Sequence, residues 1–148
     1  MNTLSDLYQE VIMDHNHNPR NFREMKSCSH RADGNNPLCG DRLTIFLKMS
    51  NNVINDISFT GSGCAISKAS ASIMTAIVKN KSIDEALSLF EIAHEIIITG
   101  ESNSSNAPEK LKVLAGVHKY PIRVKCASLP WHTLKTALHE TGEVATTE

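Results

Sequence analysis

The side chains best suited to chemistry in this sequence are four thiols, those of Cys28, Cys39, Cys64 and Cys126. Cys39 lies in NPLCGDRL, at the predicted entry to a strand, and Asp41 follows it after one glycine. Residues two apart in an extended segment point to the same side, so Cys39 and Asp41 can face a common point. Gly40 between them allows another group to approach the backbone closely. These two side chains are therefore our first candidates for a metal or thiol site.

Cys64 lies in GSGCAISKAS, between a glycine-rich turn and a strongly periodic apolar stretch. The unpaired amides of a helix N-terminus carry partial positive charge, which favours the thiolate, the form that binds metal or attacks sulfur. Gly61 and Gly63 let the chain turn sharply and leave this sulfur uncrowded. For Cys64 alone, a buried apolar cysteine is the alternative interpretation. Cys126, in RVKCASLP, is expected near the start of another helix, so three cysteines lie at the ends of elements.

Three thiolates and one carboxylate make a four-coordinate set suited to zinc or to iron–sulfur chemistry. The members of the set are Cys39, Asp41, Cys64 and Cys126. A closed structural zinc site and a disulfide pair are the alternatives. A hard carboxylate among soft thiolates is the ligand most easily displaced, which suits exchange better than permanent cross-linking. Cys28 lies apart in a loop and is interpreted as a bystander.

The elements that position this set begin with a predicted amphipathic helix. Apolar residues recur at helical spacing from Leu4 to Ile12, and the helix should end before Pro19. Residues 16–38 have no sustained period and are predicted to form a loop. Alternating apolar residues over 42–49 and 53–59, separated by a Ser-Asn-Asn turn, then predict an antiparallel hairpin.

Helices are predicted for most of the chain after the hairpin. An unbroken apolar stripe predicts a helix over residues 66–78 that faces the core. A capping box at Ser82 predicts a second helix that ends before Gly100. A last helix carries the apolar residues of 127–138. Pro130 is expected near its beginning, because proline donates no backbone hydrogen bond deeper in a helix.

Length and charge restrict the class of protein. The 148 residues fit one domain, which we predict to span 1–148 with loose termini at 1–3 and 141–148. The net charge of −1, without blocks of like charge, indicates neither nucleic acid nor a membrane as partner. No apolar run could span a bilayer and the N-terminus lacks a secretory pattern, so we expect a cytoplasmic protein. His15 and His17 are expected at surface or loop positions.

Four motifs, in this order, resemble the IscU/NifU-N scaffold superfamily and within it the SufU branch: HNHNPRN, NNPLCGDR, GSGCAISKASASIMT and RVKCASLPW. The resemblance implies an α+β fold in which a small antiparallel three-stranded sheet is covered by helices on one face. It also implies a metal site at one end of the fold. The implied role is iron–sulfur cluster assembly beside a PLP-dependent, SufS-type cysteine desulfurase and downstream assembly proteins. Cys39, Asp41, Cys64 and Cys126 match the superfamily's functional positions.

Two features favour the SufU branch over IscU. IscU proteins carry a histidine immediately before the last cysteine, whereas this chain has Lys125, which cannot serve as a comparable neutral ligand. The segment LFEIAHEIIITGESNSSNAPEK also makes the region between the last two cysteines longer than in IscU. SufU proteins resemble zinc-dependent sulfur acceptors, so the expected cofactor is zinc. The expected activity is sulfurtransferase action in partnership with the desulfurase, not catalysis by the chain alone.

Within this resemblance we expect Cys39 to accept the sulfur, because it lies in a glycine-flanked loop that can move. Arg123 and Lys125 are expected to offset the negative charge of the site, and Lys125 to stabilise the released thiolate. The alternative is that both basic side chains face solvent and have no role in the site. Two other functions stay open. One is a scaffold that holds a transient iron–sulfur cluster on Cys39, Cys64 and Cys126, and the other is a small zinc-stapled interaction module.

Overall fold

The computed structural model describes residues 4–139 and 145–146. In chain order the elements are α1 Leu4–His17, β1 His30–Asn36, β2 Asp41–Ser50, β3 Val53–Ser62, α2 Ala65–Val78, α3 Ile83–Thr99, α4 Glu109–Lys112, a 3-10 helix Ala115–Lys119, α5 Pro121–Leu138 and β4 Ala145–Thr146. The predicted α+β class is confirmed. Of the two termini predicted to be loose, residues 1–3 and most of 141–148 lie outside the described residues.

The sheet is built on the predicted hairpin. Its strand order is β3-β2-β1-β4, with β1, β2 and β3 antiparallel and the two residues of β4 parallel to β1. Asn51 and Asn52 connect β2 to β3 with φ angles of 53° and 64°, a conformation that asparagine tolerates well. The three antiparallel strands therefore agree with the predicted sheet.

Strand β1 corrects the prediction of a loop over residues 16–38. Its side chains alternate between exposed and buried, and Ala32, Gly34 and Asn36 face the interior. These inward residues are small or polar, so the strand has no apolar period that could reveal it. The small size is required by packing, because a Cβ on Gly34 would collide with Thr133 of α5. The strand is thus formed by its pairing with β2 and its close contact with α5.

Helices cover one face of this sheet, as predicted. Helix α5 packs on β1 and β2 and also contacts α2 and α3. The largest fully buried side chains come from both layers and include Ile45, Leu47, Ile57, Phe59, Ile73, Met74, Trp131 and Ile97. Burying a side chain of this kind contributes roughly 1.5–3 kcal/mol. In the described part of the chain, no helix has the length and apolar character needed to cross a membrane.

Helices α2 and α3 begin and end close to the predicted residues. Ser82 and Glu85 form the reciprocal hydrogen bonds of the capping box, and Gly100 ends α3 in the left-handed conformation at φ 85°. Helix α5 differs, because it begins at Pro121, whose missing N–H is unneeded at that position. Pro130 therefore lies in the middle of α5 and not near its beginning. Cys126 lies in the second turn of α5, near the start of the helix.

The expectation that His15 lies at the surface was wrong. Its ring is 5% exposed, and Nδ1 lies 2.7 Å from Oγ of Ser72 in α2. The same hydroxyl oxygen accepts the backbone N–H of Arg20 at 2.8 Å. His15 and Ser72 therefore attach the end of α1 and the following turn to α2, whereas His17 is exposed.

Candidate metal centre

A buried carboxylate at the start of β2 organises the site. Asp41 is fully buried, and its Oδ1 accepts the backbone N–H of Cys64 at 2.8 Å. Its Oδ2 accepts the thiol hydrogen of Cys39, with sulfur and oxygen 2.9 Å apart. One carboxylate thus joins the loop before β2 to the beginning of α2. Gly63 makes this approach possible, because a Cβ there would collide with the Asp41 carboxylate.

Cys64 occupies the N-cap of α2, as the glycine-rich turn before the apolar stripe predicts. Its backbone is extended, at φ −73° and ψ 164°, and its sulfur accepts the N–H of Ser67 at 3.4 Å. The same sulfur lies 3.7 Å from Oδ2 of Asp41. The Cys64 side chain therefore points toward the carboxylate while it satisfies one of the free amides of the helix.

Cys126 approaches the same point from α5. It is 3% exposed, and its sulfur lies 3.2 Å from that of Cys39, although the two residues are 87 positions apart in sequence. This separation is longer than the roughly 2.05 Å of an S–S bond. All four cysteines are free, so the structure contains no disulfide pair.

Three of the four predicted ligands form a compact group. One ligand atom from each of Cys39, Asp41 and Cys126 lies within 4.8 Å of the others, an arrangement that could hold a metal ion. Cys64 lies beside this group, in contact with Asp41. Sulfur and carboxylate donors in this number suit zinc or an iron–sulfur cluster better than a hard cation such as Mg²⁺. The predicted residues are therefore neighbours, and their roles as ligands stay predictions.

The surroundings of two sulfurs favour the protonated thiol when no cation is present. Burial, followed by the hydrogen bond to Asp41, raises the pKa of the Cys39 thiol. Burial also raises the pKa of Cys126 well above its ordinary value, and the neighbouring carboxylate and sulfurs act in the same direction. A divalent cation would oppose both effects, because it stabilises the negative charge of a thiolate. A metal ion that bound here would therefore displace protons from the thiols.

The basic residues of RVKC lie on the first turns of α5. The Arg123 guanidinium is stacked over the Tyr120 ring, 4.6 Å from its centre, and the side chain is exposed. Lys125 is half-buried beside Cys126. Their catalytic roles stay predictions. Cys28 lies half-buried in the loop before β1, outside the compact group of ligand atoms, and its interpretation as a bystander stays a prediction.

Sequence reasoning missed Asn36, which holds the loop that carries Cys39. Its backbone carbonyl accepts the N–H groups of Cys39 at 3.3 Å and Gly40 at 2.9 Å. Its side-chain Oδ1 accepts the N–H of Leu38 at 3.2 Å. The Asn-Pro pair before the cysteine is a known turn signal, and it could have identified this residue.

Known proteins resemble this chain over most of its length. A family model described as NifU-like N terminal domain matches residues 7–127. The zinc-dependent sulfurtransferase SufU of Bacillus subtilis (strain 168) is 42% identical over 132 residues, which are 89% of this chain and 89% of that protein. The iron–sulfur cluster assembly scaffold protein IscU of Streptococcus pyogenes serotype M1 is 38% identical over 138 residues, 93% of this chain and 86% of that protein.

The fold gives the same result. The crystal structure of FiSufU from the thermophilic Fervidobacterium islandicum AW-1 superposes with a TM-score of 0.83 at 32% identity, covering 92% of this chain and 99% of that one. The matched family model spans the first three motifs of the predicted resemblance and the RVKCA portion of the fourth. The chain therefore belongs to the family of the NifU-like N-terminal domain, and its resemblance to the IscU, SufU and NifU-N proteins is confirmed.

Proposed function

We propose that this protein is a zinc-binding sulfur acceptor of iron–sulfur cluster assembly, which takes persulfide sulfur from a cysteine desulfurase. The observation that carries the proposal is the convergence of Cys39, Asp41 and Cys126 within 4.8 Å, with Cys64 beside them. The Bacillus subtilis relative is named a zinc-dependent sulfurtransferase, which supports this function over others that the same donors could serve.

The donor set fits zinc. Three sulfurs and one carboxylate give the four ligands that zinc takes in proteins, and Cys39, Asp41, Cys64 and Cys126 would hold the ion. Bound zinc supplies the positive charge that keeps these sulfurs deprotonated at neutral pH. The carboxylate is the hardest donor of the four, so it is the ligand that exchanges most readily.

Cys39 is our candidate for the acceptor. It lies in the short loop between β1 and β2 and is half-buried, whereas Cys126 is 3% exposed within a helix. The Cys64 sulfur already accepts a helix amide. In the transfer step the Cys39 thiolate attacks the outer sulfur of the desulfurase persulfide. A new S–S bond forms at Cys39, the old S–S bond breaks, and the desulfurase cysteine leaves as a thiolate.

Positive charge and exposed apolar side chains near the sulfurs fit a protein partner of this kind. Arg123 lies one helical turn before Cys126, where its charge attracts an anionic persulfide, and Lys125 is proposed to stabilise the released thiolate. Leu38, next to Cys39, is 66% exposed, and Ile122, one turn before Cys126, is 64% exposed. Apolar residues of this size are typical of the centre of a protein interface. We propose that they contact the desulfurase.

Sulfur transfer can be tested by mass spectrometry. The protein is incubated with a SufS-type desulfurase and cysteine, and each thiol is then analysed for an added sulfur. We expect the added sulfur on Cys39, and we expect Cys39→Ser to carry none. Cys28→Ser is the matched control and should be labelled normally. Persistent labelling of another cysteine in Cys39→Ser would refute the assignment of the acceptor.

A cluster scaffold is the second candidate, because the same soft donors bind iron–sulfur clusters and the Streptococcus pyogenes relative is named a scaffold protein. The two functions differ in what the protein must carry. Anaerobic reconstitution with iron and sulfide, followed by cluster transfer to an apo-protein, would favour the scaffold. Failure of the zinc-loaded protein to stimulate desulfurase turnover would count against sulfur acceptance.

A further inference from the structure

One buried polar group beside the candidate metal centre has no role in the transfer step described above. It is the side-chain amide of Asn36, the residue that ends β1. Asn36 is fully buried, and its Nδ2 has no hydrogen-bond partner among the described residues. An unpaired buried donor destabilises a fold, so the presence of this NH₂ group requires an explanation.

The turn that follows β1 explains only half of this amide. Oδ1 of Asn36 accepts the backbone N–H of Leu38 at 3.2 Å, and this contact determines which arm of the side-chain amide is the oxygen. The NH₂ group is the other arm and points away from that N–H. An aspartate or a serine would supply the acceptor of such a turn equally well. The feature peculiar to asparagine here is therefore a buried neutral donor.

Pairing between β1 and β2 places this donor beside the site. Asn36 is paired directly with Asp41 in the antiparallel register, so the two side chains lie on the same face, with their Cβ atoms about 4.5–5.5 Å apart. Both residues are fully buried. The Asp41 carboxylate lies 2.9 Å from the sulfur of Cys39. The Asn36 amide, the Asp41 carboxylate and the Cys39 sulfur therefore border the same buried space.

Helix α5 closes this space from the opposite side. Gly34 lies two residues before Asn36 and on the same face of β1, and Thr133 of α5 covers it. Nearer the end of the sheet, the buried sulfur of Cys126 lies 3.2 Å from that of Cys39. A group held between β1, β2 and α5 at this point is screened from solvent.

We propose that Asn36 binds the transferred sulfur, with its Nδ2 donating a hydrogen bond to the outer sulfur of a persulfide on Cys39. This inference rests on the proposed function and names the residue that holds its product. The outer sulfur lies about 2.05 Å beyond Sγ, so a persulfide that returns to the site extends into the space that Asn36 borders. The hydrogen bond would retain the sulfur inside the site until the next acceptor arrives.

The charges around this space fit a neutral donor. The outer sulfur of a persulfide carries negative charge after transfer, and the Asp41 carboxylate repels it. The carboxylate oxygens accept hydrogens from the Cys64 amide and the Cys39 thiol, and the second of these hydrogens is lost when Cys39 becomes a persulfide. A second carboxylate at position 36 would add to the repulsion. The Asn36 amide instead donates a charge-assisted hydrogen bond to the anion.

The hydrogen bond can be detected in the natural protein. Full-length ¹⁵N-labelled protein is treated with inorganic polysulfide. The Cys39 thiolate attacks a polysulfide sulfur, one S–S bond forms at Cys39, one S–S bond of the polysulfide breaks, and a polysulfide one sulfur shorter leaves. We expect the side-chain NH₂ signals of Asn36 to shift downfield and to exchange more slowly with solvent. The signals of Asn35, half-buried on the other side of β1, should stay in place.

Two results of this NMR experiment would overturn the proposal. One is an Asn36 amide signal that stays unchanged although mass spectrometry finds the added sulfur on Cys39. The other is the absence of any added sulfur on Cys39 after polysulfide treatment. Cys39→Ser is the control, because a shift of the Asn36 signal in this variant would arise from some other cysteine. The measurement needs no substitution at position 36, so it decides the matter even if the variant below does not fold.

Asn36→Asp measures the contribution of the donor. Aspartate has the shape of asparagine and keeps an acceptor for the turn, but it replaces the NH₂ group by an oxygen. After equilibration with polysulfide, the ratio of persulfidated to free Cys39 should fall by at least about tenfold, as expected for loss of a hydrogen bond to a charged group. Asn35→Asp adds the same charge on the other face of β1 and should change the ratio by less than about twofold. An unchanged ratio in Asn36→Asp would refute the role of Asn36.

Loading with polysulfide needs no desulfurase, so these results are separate from the test of the proposed function. If the Asn36 amide responds to the persulfide and Cys39 takes no sulfur from a desulfurase, sulfur acceptance from that enzyme fails and Asn36 stands as the residue that binds the outer sulfur. If Cys39 takes sulfur from the desulfurase and the Asn36 amide does not respond, the proposed function stands and the role of Asn36 fails.

Discussion

The two sides of the candidate metal centre are held in different ways. Cys64 and Cys126 lie on long helices that belong to the core, and Cys126 is 3% exposed. Cys39 lies in the connection between β1 and β2, where Leu38 is 66% exposed and Gly40 adopts φ 73°. The backbone N–H groups of residues 38–40 in its loop all donate to one residue, Asn36. A ligand on a core helix moves only with the helix, whereas a ligand on a short loop can move alone.

Under the proposed function, this difference fits different tasks for chemically identical side chains. A cysteine that accepts sulfur must leave the metal and meet a second protein, and this requires exposure and local freedom. A ligand that keeps the metal in place requires the opposite. The comparison therefore predicts that substitutions on the helix side damage metal binding first, whereas substitutions on the loop side damage sulfur transfer first.

The largest expected effects come from replacing one cysteine on each side of the site by serine. Cys126→Ser should weaken Zn²⁺ retention by at least about 100-fold, because loss of a ligand exceeds the usual effect of residues that only orient ligands. Cys39→Ser should abolish sulfur acceptance and should lose less Zn²⁺ affinity than Cys126→Ser. Chelator competition and mass spectrometry of desulfurase-treated protein measure the two properties. An equal loss of Zn²⁺ affinity in both variants would show that the loop side and the helix side contribute equally to metal binding.

Removal of the metal tests how far the fold depends on the site. Chelation should abolish sulfur acceptance and lower the unfolding temperature by only about 5–10 °C, because a bound ligand at 100 times its Kd stabilises a protein by about 2.7 kcal/mol. The buried apolar side chains of the two layers hold the core without it. Circular dichroism during heating, with and without chelator, measures the shift. Complete unfolding on chelation would instead support a zinc-stapled module.

A smaller effect is expected from substituting Gly63, which leaves room for the Asp41 carboxylate to contact both sides of the site. Gly63→Ala inserts a Cβ into the Asp41 carboxylate, so the carboxylate must shift away from Cys39 and Cys64. We expect Zn²⁺ affinity to fall by about tenfold. Gly116→Ala is the control, since a Cβ there meets open space, and its affinity should be unchanged. A normal affinity in Gly63→Ala would show that Asp41 is dispensable as a ligand.

The smallest effect concerns the pH dependence of stability. His15 attaches α1 to α2, the helix that Cys64 caps. Burial and the nearby Arg20 lower the pKa of His15 below its ordinary value of 6.5. The unfolded chain therefore takes up a proton near pH 6.5, before the folded protein does. The stability is complete above this pH and decreases as the pH falls from it through the folded-state pKa.

This dependence is measured by thermal unfolding between pH 8 and pH 5, with His15→Gln as the comparison. The variant should have a flatter profile than the natural protein. His132 has a pKa lowered by burial as well, so it contributes a decline of the same sign in both proteins. An identical pH profile in the two proteins would exclude His15 as a contributor.

The most predictable parts of this protein were those determined by neighbours in sequence. The Asn-Asn turn, the capping box at Ser82 and the stripe of α2 depend on local sterics and hydrogen bonds, and all three were predicted correctly. Strand β1 was not predictable, because its inward residues are small and polar. These residues allow α5 to pack closely on the strand. A contact between elements so far apart in the chain leaves no pattern in the local sequence. Pro130 was misplaced because a helix stabilised by packing tolerates a residue that an isolated helix rejects.

The sequence by itself determined the chemistry of the site: three thiols, a carboxylate two residues after the first, and the glycines that leave them space. Those properties depend on residue type and on spacing within a few positions. Only the tertiary structure decided that the sulfurs of Cys39 and Cys126, 87 positions apart, lie 3.2 Å from each other, and that Cys39 is half-buried while Cys126 is fully buried. Burial and long-range contact arise from the packing of whole elements, and packing is a property of the folded chain.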